Sequence, residues 1–212
     1  AAPGEAIELR PQSCSAADNE ASLGNYVDSC DGIYPGACGA GGDLVSCDDG
    51  LAETHTSGGN GEWGGINLTI YNNAVTDCGY VEQVFLCYEW WASSTSIQSC
   101  RIRVSSGGGF TPVTSSCPGT TADPGVTCVN VTSDESWTCE NFFGTGGNRA
   151  QITSDFQQNG GGSRTVTWDT LFFNVSYSTS KERQISECGG TIFQGGINYT
   201  LAGDLTTSLN NC

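Results

Sequence analysis

The sequence predicts an all-β protein, a disulfide-stapled antiparallel β-sandwich or jelly roll with a loop-rich acidic N-terminal segment. Three observations carry that prediction. Stretches of alternating apolar and polar residues recur, divided by Gly-, Ser- and Pro-rich turns. Twelve Cys are spread over 212 residues with a single His. Charged residues make up only 14%, too few for a coiled coil or an ion-pair-rich helical bundle.

The elements follow in chain order. Residues 1–13 read as an N-terminal arm ahead of the first Cys, and Ala6-Ile7-Glu8-Leu9-Arg10 alternates with period two, a short strand signal. Residues 14–62 read as an acidic Gly- and Cys-rich segment packed on the main domain. Within it, 15–29 suits a short helix capped by Ser15, and 31–62 is loop-like. Residues 63–212 are expected to form the sandwich domain, with 1–212 as one domain the alternative. There Ile66, Leu68 and Ile70 alternate with Asn67 and Thr69, which puts Asn67 on the wet face. The run 80–91 is apolar on both parities, as in a central strand covered on both faces. Val84, Leu86, Tyr88 and Trp90 share one face; Val81, Phe85, Cys87 and Trp91 share the other.

Further on, Cys100, Ile102 and Val104 point inward while Arg101 and Arg103 point out. Thr127, Val129 and Val131 alternate with Cys128 and Asn130. The run 164–177 places Val166 and Trp168 on one parity and Leu171, Phe173, Val175 and Tyr177 on the other. An inserted bulge residue produces such a switch. Ile197, Tyr199 and Leu201 close the series. The echo between Gly64-Gly65-Ile66-Asn67 and Gly195-Gly196-Ile197-Asn198 would fit a duplication, but the Cys around the two copies are not collinear, so chance recurrence of a Gly-Gly turn plus an alternating strand is the simpler account.

The Cys stand at 14, 30, 38, 47, 78, 87, 100, 117, 128, 139, 188 and 212, with no C-x-x-C among them. Six disulfides formed in an oxidising compartment fit this better than zinc. The expected bridging residues are Cys14, Cys30, Cys38, Cys47, Cys78, Cys87, Cys100, Cys117, Cys128, Cys139, Cys188 and Cys212, in pairs that sequence cannot assign. Four N-x-[ST] sequons, at Asn67, Asn130, Asn174 and Asn198, point to an extracellular glycoprotein. Met is absent even at position 1, as expected after removal of a signal peptide. No apolar run of about 18 residues offers a membrane-spanning helix.

Net charge is −16, and residues 1–62 hold 11 acids against one base, Arg10. Such a surface repels phosphate backbones, so nucleic acid is not an expected partner.

Reactive groups are scarce. There is no Gly-x-Ser-x-Gly elbow, and His55 sits among polar neighbours in a loop-like stretch. Paired carboxylates remain, since glycosidases of sandwich architecture work with two. Glu62-Trp63, Glu89-Trp90-Trp91 and Trp168-Asp169 set acids beside Trp, although twenty-three acids make such adjacency common by chance. Calcium could use Asp43, Asp48, Asp49 and Glu53, with a solvated acidic loop the simpler account. No cofactor and no metal site is otherwise expected.

Three functions follow, from different classes. The favoured one is an extracellular structural or surface-coat subunit. It would self-assemble when the arm adds as a strand to a neighbour, Ile7 and Leu9 filling the neighbour's pockets. The alternative is a secreted carbohydrate-binding module, adhesin or effector, using Trp90 or Trp91 to stack on sugar rings. The third is a polysaccharide-active hydrolase using Glu89 with Glu62 or Asp169.

Overall fold

The computed structural model describes residues 5–16, 53–57, 63–95, 97–158, 164–179, 182–185 and 198–201, with side chains described for 6–11, 64–95, 97, 99–157 and 164–179. Twelve strands and one short helix lie among the described residues. In chain order they are β1 (Glu5–Leu9), β2 (Pro11–Ala16), β3 (Glu53–Ser57), β4 (Trp63–Ile70), β5 (Tyr80–Ala92), β6 (Ile97–Ser105), β7 (Thr111–Thr114), β8 (Thr127–Asn130), α1 (Cys139–Phe143), β9 (Ala150–Gln158), β10 (Arg164–Ser178), β11 (Glu182–Ile185) and β12 (Asn198–Leu201).

They form two antiparallel five-stranded sheets. The first runs β1-β10-β5-β8, with β3 also paired to β10; the second runs β2-β4-β9-β6-β7. A parallel pair, β11 and β12, stands apart from both. The predicted β-sandwich is therefore the architecture found.

Each sheet turns one parity of side chains inward. From the first come Leu9, Val84, Leu86, Trp90, Val166, Trp168, Leu171, Phe173 and Val175; from the second come Ile66, Leu68, Ile70, Ile102, Val104, Ile152 and Phe156. Burying a side chain of this size stabilises by about 1.5–3 kcal/mol. One end of the core is closed by aromatic rings. Trp137 lies 5.3 Å from Phe173, and Phe142 lies 5.6 Å from the same ring.

The bulge expected in 164–177 is present. Trp168 pairs with Trp90 and Thr170 with Glu89, so Asp169 is the extra residue. Val166 and Trp168 thereby reach the same core as Leu171 and Phe173. A second irregularity pairs Ser176 with Gln83 but Tyr177 with Val81, leaving Glu82 over. This brings Val81 into the core, at 4% exposure, although its parity in the sequence matches the outer face.

Several expectations are corrected. Ser15 and Ala16 end β2, paired with Asn67 and Ile66 of β4, where a helix start was expected; the rest of that expected helix, 17–29, lies outside the described residues. His55 belongs to β3 and pairs with Val166, so its stretch is a strand and not a loop. In both places tertiary pairing overrides local preference. Asn67 is not on a wet face but only 4% exposed, on β4, which lies inside its sheet between β2 and β9. Strand β9 and helix α1 are absent from the sequence reading.

Three disulfides lie among the described residues: Cys78–Cys139, Cys87–Cys128 and Cys100–Cys117. They close sequence separations of 61, 41 and 17 residues, each contributing about 3–4 kcal/mol on the chain-entropy account. Cys14, Cys30, Cys38, Cys47, Cys188 and Cys212 fall outside the described side chains. So do Asn198 and the acids Asp43, Asp48, Asp49, Glu53 and Glu62.

Gly65 is required by close approach. A Cβ there would run into the Ser154 carbonyl oxygen and lie 2.8 Å from the Asp155 Cα, both backbone atoms of β9. Gly65→Ala is expected to cost about 1–3 kcal/mol. A urea melt of the two proteins checks this, and an unchanged midpoint would contradict the packing.

Candidate functional site

Two places gather the residues singled out by sequence. The first is the edge built by residues 5–16. Glu5 to Leu9 pair with Tyr177 to Phe173 of β10. The chain then crosses at Arg10, and β2 pairs with β4 of the opposite sheet. One short segment thus supplies an edge strand to both sheets. Period-two alternation explains its seating: Leu9 is 1% exposed and Ile7 packs half-buried against the core, while Ala6 and Glu8 are exposed. Within this chain Ile7 and Leu9 therefore fill its own core. The arm is thus paired within its own chain, because the adjoining edge of β10 offers the ladder hydrogen bonds.

Arg10 fixes the crossing. Its Nη2 donates to Glu8 Oε2 at 2.8 Å, and its guanidinium stands 5.0 Å from the Phe172 ring centroid. Beside it opens a cleft of about 460 Å³ lined by Glu8, Leu9, Arg10, Tyr71, Asn72, Asn73 and Ala74. Arg149 lies over Tyr71 at 4.3 Å, donates to Asn73 Oδ1 at 3.2 Å, and donates to the Gly144 carbonyl. The cleft is polar, with one aromatic wall. Sequence reasoning missed it, because 5–10 and 71–74 come together only through the fold.

The second place is the outer face of the first sheet around the bulge. Glu89 and Asp169, proposed as a pair from sequence, become cross-strand neighbours there. Each is only 1% exposed. Glu89 Oε1 accepts the Gly125 amide at 2.8 Å from the loop between β7 and β8. That loop turns through two left-handed residues, Asp123 at φ 51° and Gly125 at φ 87°. Carboxylates this deeply covered give a glycosidic oxygen no approach.

Trp90 and Trp91 separate. Trp90 is 7% exposed in the core, 6.3 Å from Tyr88 in an edge-on contact, so the expected sugar-stacking role is corrected for Trp90. Trp91 lies on the outer face, half-buried, opposite Thr167. Trp168 is fully buried and donates from Nε1 to Ser154 Oγ at 2.7 Å, binding one sheet to the other.

The outer face of the second sheet holds a further cluster. Asp155 is 0% exposed, and Arg101 meets it through Nε at 2.8 Å and Nη2 at 3.0 Å; Arg103 adds Nη2 at 2.6 Å. The two arginines point outward as expected but are held on one carboxylate. Asp155 was not singled out because β9 was not recognised; the alternation Ile152, Ser154, Phe156 was the available signal. Among the described residues no three His, Cys, Asp or Glu side chains gather as a metal site. No helix among them is long and apolar enough to cross a membrane.

No known protein family matches this sequence, and no curated protein matches it. A solved structure described as "CBM4 structure and function" has a TM-score of 0.36 and 18% identity, over 59% of this chain and 83% of that one. The three disulfides fit an extracellular protein.

Tyr88 gives the core a pH limit. Burial raises its phenol above the ordinary 10.0. The unfolded chain therefore ionises first as pH rises. The stability this group contributes is present below about pH 10 and is lost as pH rises through the higher folded value. Tyr88→Phe is expected to flatten the fall in urea midpoint measured between pH 9 and 11. A variant that falls as steeply as the parent would show that other groups set the limit.

Proposed function

We propose that this chain is an extracellular structural subunit that assembles by exchanging its 5–16 segment between copies. The carrying observation is that this one segment seals an edge of both sheets and seats Leu9 in the core. Backbone ladder bonds do not distinguish one copy from another. A neighbour's Ile7 and Leu9 fit the sites they occupy within a chain, so the pairing made in cis can be made in trans. Dense disulfides and sequons suit a unit exposed outside the cell.

Sedimentation and negative-stain electron microscopy of the native, unreduced protein provide the test. Regular polymers are expected, and deleting residues 1–12 should abolish them. A synthetic peptide of residues 1–13 should restore the truncated protein's stability without restoring polymers. A protein that remains monomeric at all concentrations would sink the proposal.

A second reading, a carbohydrate-binding module, is favoured by one observation. Trp91 is a large half-buried aromatic on an outer sheet face, beside Thr167 and the bulge. A ring so placed can stack on a sugar. Trp91→Ala should then lose retention on a bound polysaccharide while keeping its melting temperature. Trp90→Ala should instead destabilise by about 3–5 kcal/mol. Equal retention of parent and Trp91→Ala across cell-wall polymers would remove this reading.

A further inference from the structure

The strand register brings two sequons together. Phe85 of β5 pairs with Asn130 of β8 on one side and with Asn174 of β10 on the other. All three stand in one row on the outer face of the first sheet. Inward-facing residues Leu86, Val129 and Phe173 alternate with them. Neighbouring strands lie about 4.8 Å apart, so the two asparagines are about 10 Å from each other across the ring. Asn130 is exposed, and Asn174 and Phe85 are half-buried. Asn130 Oδ1 accepts the Thr132 amide at 3.0 Å, and among the described residues Nδ2 makes no hydrogen bond. Asn67 is the opposite case. At 4% exposure, against the half-buried Asn174, it has no room for a sugar in the folded chain.

We propose that Asn130 and Asn174 carry N-linked glycans whose first sugars pack on the Phe85 ring from both sides, and that the Asn67 sequon stays empty. In each transfer a bond forms from Nδ2 to the anomeric carbon of the sugar. The bond from that carbon to the diphosphate of a lipid-linked oligosaccharide donor breaks, and one Nδ2 proton leaves with the lipid diphosphate. The apolar face of a sugar ring stacks on an aromatic face, and one ring flanked by two glycosylated strands serves both sugars. The arrangement also protects a sheet edge. Among the described residues strand β8 ends the first sheet, and a glycan on Asn130 hinders another chain's strand from pairing there.

The test uses the full chain secreted from an N-glycosylating host. Enzymatic release of N-glycans in heavy-oxygen water followed by peptide mass mapping reads occupancy. Asn130 and Asn174 should be labelled and Asn67 should not. An empty Asn130 or Asn174, or a glycan on Asn67, overturns the assignment. Packing is read from melting temperature: removing the glycans should lower it by about 2–4 °C in the parent, and by less than half as much in Phe85→Leu. Equal losses in both overturn the packing. Proton NMR of the intact glycoprotein needs no variant. N-acetyl signals shifted upfield by the ring support the packing, and unshifted ones refute it.

Discussion

The structure depends on one inserted residue. Strand β10 spans Arg164–Ser178 and pairs with β1, β3 and β5, so the first sheet is assembled on it. A strand of that length with strict alternation would send Val166 and Trp168 to the face opposite Leu171, Phe173 and Val175. The bulge at Asp169 resets the parity and lets both groups enter one core. Trp168 then reaches Ser154 of the facing sheet, where the indole finds a partner within an apolar core. Without the insertion either the indole or the Leu171–Phe173 row would face outward.

The loops are held by side chains acting as clamps. Glu135 accepts from Ser106 Oγ at 2.8 Å and Thr111 Oγ1 at 2.5 Å, tying the β6–β7 turn to the chain beyond β8. Asn141 donates from Nδ2 to the carbonyls of Ser106 at 2.6 Å and Asn148 at 3.0 Å, while its Oδ1 accepts the Thr138 amide at 2.7 Å. Trp137 donates to the Val131 carbonyl at 2.8 Å. The Asn141 and Trp137 clamps satisfy backbone groups in the loops, while Glu135 ties down two hydroxyls. A chain poor in charge thus orders long connections with few carboxylates and amides.

Much of the fold was legible because burial writes itself as period two. The inward rows of β4, β5 and β6, and the parity switch in β10, follow from apolar spacing alone. Strand β9 was not legible: Ser154 fills an inward position and Thr153 and Asp155 are buried on the other face, so its polarity mimics a loop. His55 was misplaced for a similar reason, as a polar edge strand carries no apolar stripe. The candidate sites were legible only in part. Adjacency in sequence named Trp90 and Trp91 together, yet a pleat sends neighbours to opposite faces. Asn67 failed because a wet face was inferred from alternation, whereas the side chain is only 4% exposed in the fold. The cleft beside Arg10 joins segments some sixty residues apart, which no local pattern encodes.

The chain passes from the second sheet to the first through the connection between β7 and β8, and a bridge sits at each end of it. Cys117 is joined back to Cys100, and Cys128 to Cys87. Cys139 beyond it is joined back to Cys78. This exposed connection is a natural target for extracellular proteases. A cut between these bridges would leave two pieces that cannot separate, since residues on either side remain covalently joined through Cys87–Cys128 and Cys78–Cys139. Nicked and intact molecules would share one mass, apart from a water, until reductant is added.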